Sequence, residues 1–397
     1  VAIMSLNKKI LFVMLTIGGI AFLPYAGAIV CFGPTLPNNY FAYPPLTVPP
    51  KAGFSEVVFI TVAILFGLAI LLYIFPRLFG FKKFIEDHVT APPKASFPIW
   101  AWIGLLMWGG TLFVLWMHFT GPGWLLRWAD LPLFWGFTLV IDGIVFVRTG
   151  GNSIIGKSSR DIIGIGLASV WGWLLFEYLN FYVDDNWYYP KGNLIPMNEF
   201  TIYAVLGSSG LLPMAFEWYN LLVTSKVFRR RFDRGIKISI PKNIKIAALV
   251  LCFGAMFVVP FFPNFLFGVI WICPLVMLAI VLDLIGVWSP FNNIKNGNWT
   301  PVLLFALTYL VQGFLLECWN YYSGTHSGGV MVETHTPAYW AYSVPYVNVC
   351  HIFEMPILGF FGYLPFGIYC WVWWNMFTFM LNIPTRITTH DAFLTNS

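Results

Sequence analysis

Apolar runs long enough to cross a bilayer recur along the whole 397-residue chain, and they limit the fold more than any other feature. A hydrocarbon core of about 30 Å is crossed by about 20 helical residues. Inside it every backbone polar group needs an internal partner, which helices provide. The runs fall near 10–31, 56–75, 98–119, 131–147, 161–181, 199–224, 245–260, 264–288, 301–321 and 345–381. The chain is therefore expected to be an all-α polytopic membrane protein of about ten transmembrane helices. Only 10% of its residues are charged, against about a quarter in soluble domains, so no soluble domain of ordinary size remains. The last run holds Pro356 and Pro365 and is long enough to tilt, kink or break.

Lys8 and Lys9 precede an apolar stretch ending in "YAGA", the outline of a secretory signal, but the run is too long for a signal core and is read as a retained span. Lys and Arg resist translocation and so report orientation. With a cytoplasmic N-terminus, all of the 22 basic residues except Lys51, Arg127 and Lys191 fall on the cytoplasmic side. The basic stretch 226–245 then becomes a cytoplasmic linker, and an even number of spans returns the C-terminus to the same side. The net charge of +5 is a membrane-orientation signature and not a nucleic-acid one. His88 and His390 fall in the same cytoplasmic segments. Six cysteines form no C-x-x-C pair, which removes the usual zinc-knot and covalent-haem patterns.

An internal repeat sets the organisation. Asp142 stands 35 residues before Glu177 and Asp283 stands 34 before Glu317; each glutamate opens E-x-x-N followed by an aromatic pair, in "EYLNFY" and "ECWNYY". Further on, "GSSGLLPM" at 207–214 answers "GFFGYLPF" at 359–366. Asp and Glu together number only 17 in this chain, so the ordered recurrence of these acids with the same Asn and Pro neighbours indicates duplication. The expected division is two N-terminal helices in 1–97, a four-helix repeat in 98–225, the basic linker 226–244, and a second four-helix repeat with a tail in 245–397. Four spans per unit is even, so the copies share one orientation, as in parallel repeats. The second copy is longer by about a dozen residues through "SGTHSGGVMVETHTPAYWAY" at 323–342.

A carboxylate at the bilayer centre costs about 2.5–3.5 kcal/mol on insertion scales, so Asp142, Glu177, Glu217, Asp283, Glu317 and Glu354 are expected to face the protein interior. Glu177, Asn180, Glu317, Asn320, His351 and Glu354 share the outer ends of their spans and form the candidate catalytic set, two carboxylates with paired amides and a histidine suited to acid–base work. His351 and Glu354, spaced i, i+3 on a helix, with His326 or His335 folding down, form a candidate metal set. His118 and His351 stand at the depth a b-type haem would require. Asp142, Asp283 and Glu217 lie deeper and are the candidate proton carriers. For E-x-x-N the plainer alternative is a polar clamp between helices.

Aromatic residues make up 19% of the chain. Part of this is the interfacial belt, to which "DDNWYYP" and "PAYWAYSVP" are assigned; the rest suits a pocket for an isoprenoid, quinone or carotenoid. The stretches "ECWNYYS" and "PAYWAYSVPYVNVCHIFEMPILGFFGYLPFGIY" resemble an uncharacterised family of bacterial polytopic membrane proteins. That resemblance implies bacterial origin and a shared fold, and an acid near Tyr369 to match Glu217, which this chain lacks. A looser similarity is to membrane carotenoid cyclases, which are also duplicated helical units with intramembrane carboxylates; their acidic pair motif is missing here. The expectation is a bacterial inner-membrane protein with both termini cytoplasmic, holding a lipid-like or isoprenoid molecule in an outer-leaflet pocket. Its alternatives are a non-catalytic subunit of a larger membrane complex for electron transfer or pigment binding, and a proton-coupled transporter. The partners are membrane lipids or such subunits.

Overall fold

Helices dominate because each apolar run can satisfy its own backbone only by coiling. The computed structural model describes residues 4–38, 40–83, 93, 95–157 and 159–383, Ser159 by its backbone alone; His88 and His390 lie outside them. The long elements are α1 (Leu6–Phe32), α2 (Glu56–Ile74), α3 (Ile99–Trp116), α4 (Asp130–Arg148), α5 (Ser159–Asn180), α6 (Met197–Ser208), α7 (Leu211–Thr224), α8 (Lys242–Val258), α9 (Val269–Leu284), α10 (Thr300–Tyr322) and α11 (Tyr363–Leu381). Among the described residues nine segments are long and apolar enough to cross a membrane, with α6 and α7 counted as one, and α9 is a shorter apolar helix. The all-α polytopic architecture is thus the observed one.

Two expected spans change shape. The run 199–224 breaks at Ser209–Gly210, and the run 345–381 is helical only from Tyr363, after a 3₁₀ turn at Ile357–Gly362. Both interruptions fall on the G-x-x-G-x-L-P segments. Between 345 and 356 the apolar composition suggested helix, but Tyr346, Cys350 and Phe353 adopt φ of 64°, 54° and 60°, a left-handed conformation that no right-handed helix accommodates. His351–Ile352 (β5) and Met355–Pro356 (β6) instead pair as a tight hairpin.

Close helix crossings hold the bundle together. A methyl added to Gly104 of α3 would stand 2.6 Å from the Gly136 carbonyl of α4, and one on Gly367 of α11 would stand 2.2 Å from the Phe305 carbonyl of α10. Small residues of this kind let backbones approach where there is no water-driven collapse. Hydrogen bonds join the two halves: Gln312 Nε2 donates to Leu211 O at 2.9 Å, and Trp373 Nε1 to Ala168 O at 2.8 Å.

The two ends of the bundle differ in charge. At one end the Arg231 guanidinium caps the last carbonyls of α2, Tyr73 O at 2.8 Å and Ile74 O at 3.0 Å, and Lys245 pairs with Asp283 at 2.6 Å. A cation at a helix C-terminus is favourable because the unpaired carbonyls there carry partial negative charge. At the other end the loops form short ribbons. Trp187–Tyr188 (β1) pairs antiparallel with Ala341–Tyr342 (β4), Trp187 opposite Tyr342 and Tyr188 opposite Ala341. Gly324–Ser327 (β2) pairs with Val330–Thr334 (β3), so the extra segment of the second half folds as a hairpin.

Beside that cap, Lys51 Nζ donates to Val183 O at 2.8 Å and also to Asp184 O, sealing the end of α5. Burial pushes the Lys51 ammonium down to about 8, and burial pushes the Asp185 carboxyl up to about 7 against the pull of Lys51. A raised carboxyl stabilises the fold in its neutral form; that contribution is complete below its ordinary value of 3.8 and is lost as pH rises through about 7. A lowered ammonium acts in the other direction, and stability recovers between about 8 and 10.5. The melting temperature in detergent should therefore fall from about pH 4 to 7 and rise again above 8. Asp185→Asn should flatten the acid limb, and an unchanged limb in that variant would contradict the assignment.

Candidate functional site

A buried carboxylate with no water needs donors from the chain itself. Glu317, fully buried on α10, obtains three. Its Oε1 accepts from Tyr342 OH at 2.6 Å, Tyr363 OH at 2.8 Å and Trp340 Nε1 at 3.2 Å. One turn on, Asn320 grips the backbone of the same strand: its Nδ2 donates to Trp340 O at 2.8 Å and its Oδ1 accepts from Trp340 N at 3.1 Å. Glu177 and Asn180 on α5 repeat the arrangement. Glu177 Oε1 accepts from Tyr189 OH at 2.5 Å and Trp187 Nε1 at 3.2 Å, while Asn180 bonds Trp187 O and Asn186 N, both at 2.8 Å. Each E-x-x-N therefore anchors a W-x-Y strand, Trp187–Tyr189 or Trp340–Tyr342, and those two strands carry the β1–β4 pairing.

The acids and amides are clamps on aromatic strands. Burial, then the facing carboxylate, pushes Tyr189 and Tyr342 well above the ordinary tyrosine range, so both remain O–H donors. The W-x-Y pair was legible, since it follows Glu177 by 10 and Glu317 by 23 residues, the difference being the extra hairpin. Read as a generic interfacial belt, it was missed.

The two clamps differ at one matched pair of positions. Tyr363 supplies the third donor to Glu317, and the motif-matched residue Leu211 supplies none, so Glu177 Oε2 has no hydrogen-bond partner among the described residues. Gly313 makes room for Tyr363, whose ring carbons lie 2.5 Å from where a Cβ would stand. The matched residue in the first half is Trp173, whose indole lies close to Glu177 without full hydrogen-bond geometry.

The aromatic faces left over enclose a cavity of about 330 Å³. Trp187, Tyr189, Trp340, Tyr342, Tyr363 and Trp271 line it, together with Gly207, Gly359 and Gly362 from both G-x-x-G breaks. On one side α2 closes it: Val62 lines the cavity, and Val58, Phe59 and Phe66 pack on Val344, Val347 and Leu358. Ile272 of α9 also lines it and keeps 46% of its surface exposed. Neither Glu177 nor Glu317 lines it. Asp130, at the start of α4 beside Tyr203, is the only charged residue among the described residues that does.

The remaining expected site residues separate. His351 is exposed, with Nε2 3.3 Å from Asn348 Oδ1, and the hairpin removes the helical i, i+3 face it was to share with Glu354. Glu354 instead accepts from Tyr339 OH and meets His326 Nε2 at 3.1 Å, while the His326 ring stacks on Tyr321 at 3.7 Å. His335 stands 4.0 Å from Glu333 at the exposed hairpin. Among the described residues no three His, Cys, Asp or Glu converge as metal ligands, so the set His351, Glu354, His326 and His335 does not assemble. His118 and His351 are both exposed in loops and do not form the buried facing pair that a haem needs. Asp142 accepts from Trp100 Nε1, Ser153 Oγ and Ile155 N, each at 2.9 Å, and Glu217 lies against it. Asp283 is paired with Lys245. None of these three lines the cavity.

Removing the acceptor strands its donors, each costing about 1–3 kcal/mol when left unpaired in a dry interior. Glu317→Leu, which strands three groups, should lower the melting temperature more than Glu177→Leu, which strands two. Both should shift tryptophan emission as the strands loosen; equal and negligible effects would contradict the clamp. The chain matches no family model, no curated protein and no solved structure at a significant level, so the reading of its function rests on this geometry.

Proposed function

We propose that this is a bacterial inner-membrane protein that binds a lipid-like or isoprenoid molecule in the cavity between its two halves. The observation that carries the reading is the cavity itself: about 330 Å³, walled by aromatic rings from both E-x-x-N units and bounded by a helix with no buried residue, α2. Small-molecule sites run from about 300 to 1,000 Å³ and are apolar with few polar groups. Charge asymmetry between the bundle ends supports placing the cavity in the outer leaflet, because the basic linker lies at the opposite end.

The hydrogen bonds favour binding over acid–base work by Glu177 and Glu317 themselves. Both oxygens of Glu317 and Oε1 of Glu177 are engaged by phenol and indole donors, and neither carboxylate lines the cavity that would hold a ligand. These glutamates are positioning residues: they fix which face of each ring the cavity presents. Glu354 plays a corresponding part at the cap, where it joins the β2–β3 and β5–β6 hairpins through His326 and Tyr339. The rival carrier reading draws less support, because Asp142, Glu217 and Asp283 lie away from the cavity wall.

Gentle purification followed by organic extraction and mass spectrometry should recover an apolar molecule from the wild-type protein. Ala204→Phe or Ala338→Phe, each filling the wall of the cavity, should reduce that yield at least about tenfold while the protein still folds, a loss of about 1.4 kcal/mol in affinity. Recovery of the same molecules at the same level from the filled variants would sink the proposal.

A further inference from the structure

The cavity wall carries a buried amide side chain that nothing among the described residues answers. Asn186 is 3% exposed and lines the cavity, yet neither its Nδ2 nor its Oδ1 has a hydrogen-bond partner among the described residues. Its backbone is held on both sides, N–H to Asn180 Oδ1 at 2.8 Å and carbonyl to Ser343 N at 2.9 Å. The side chain therefore cannot swing away with its strand. An unpaired buried amide costs about 1–3 kcal/mol per polar group, and native proteins seldom keep both ends of one unpaired.

Its surroundings say what would pair with it. The phenol and indole donors on Trp187, Tyr189, Trp340, Tyr342 and Tyr363 are already committed to Glu177 and Glu317. Among the described residues no Lys, Arg or His lines the cavity, and Asp130 does, so an anionic head would meet no counter-charge and one carboxyl group. The motif-matched residue in the second half is Tyr339, which is occupied by Glu354 and His326. Asn186 is thus the position where the first half departs from a closed polar contact to an open one.

Resting on the reading that the cavity binds an apolar molecule, we infer that the molecule carries a neutral hydroxyl head, which donates to Asn186 Oδ1 and accepts from Asn186 Nδ2 while its apolar body lies along the aromatic wall. A carbonyl or ether would satisfy only the Nδ2 side. A carboxylate would accept there as well and would bring a charge the wall does not balance.

The test measures binding of farnesol, farnesyl methyl ether, farnesene and farnesoic acid to the full-length detergent-solubilised protein, read by intrinsic tryptophan emission. Wild-type protein should bind farnesol about tenfold more tightly than the ether, the hydrocarbon or the acid. Asn186→Leu removes no hydrogen bond made by the side chain, so it should fold, melt no lower than wild type, and bind farnesol, ether and hydrocarbon within about twofold of one another. Asn186→Ser, which keeps a donor and acceptor, should restore part of the preference. If all four probes bind wild type and Asn186→Leu alike, the cavity reading stands and the hydroxyl assignment is overturned. If no probe binds either protein, both fall.

Discussion

Two carboxyl groups buried in apolar helices, Glu177 and Glu317, can find hydrogen-bond donors only within the chain, and the cap is built around meeting that need. A helix cannot satisfy a glutamate from its own backbone, and the bilayer offers no water. Glu177 and Glu317 are answered by Trp and Tyr from the segments that follow their helices, and the asparagine one turn on holds those segments by their backbone. Once both W-x-Y strands are fixed, they pair with each other. Their rings then face the space between the halves, where the broken helices at Gly210 and Gly362 leave room.

The matched positions that differ are as informative as those that agree. Leu211 and Trp173 in one half stand where Tyr363 and Gly313 stand in the other, an exchange that puts a large ring beside each glutamate from a different helix and leaves Glu177 one donor short. Asp130 is matched by Trp271 and Asn186 by Tyr339; Asp130, Asn186 and Trp271 line the cavity, whereas Tyr339 is bonded to Glu354, and both polar atoms of the Asn186 side chain are without a partner among the described residues. Packing accounts for the first kind of difference. The second kind is what the proposed ligand with one polar end would answer, because a purely apolar ligand would leave Asn186 unpaired.

Much of the fold was legible because spans are set by length and hydropathy. The E-x-x-N and G-x-x-G-x-L-P motifs stood out because the acids are rare, 17 in all, and because Gly and Pro recur with them in the same order in both halves. Residues 345–356 were misread for the same reason: their apolar composition suits a span, and left-handed positions at Tyr346, Cys350 and Phe353 carry no compositional mark when glycine is absent. The pairing of His351 with Glu354 fell with that helix. Trp187, Tyr189, Trp340 and Tyr342 escaped notice because an aromatic loop beside a membrane already has an ordinary explanation in the interfacial belt.

Hydropathy and the cost of desolvation already dictate apolar helices, with Glu177, Asn180, Glu317 and Asn320 near their ends and facing protein rather than lipid. What those groups hold follows from the packing of distant segments. Hydrogen-bond partners ten to forty-six residues away are chosen by how strands and helices meet in space. That meeting turns two carboxylates away from the cavity and leaves Asp130 and Asn186, which no motif marked, on its wall.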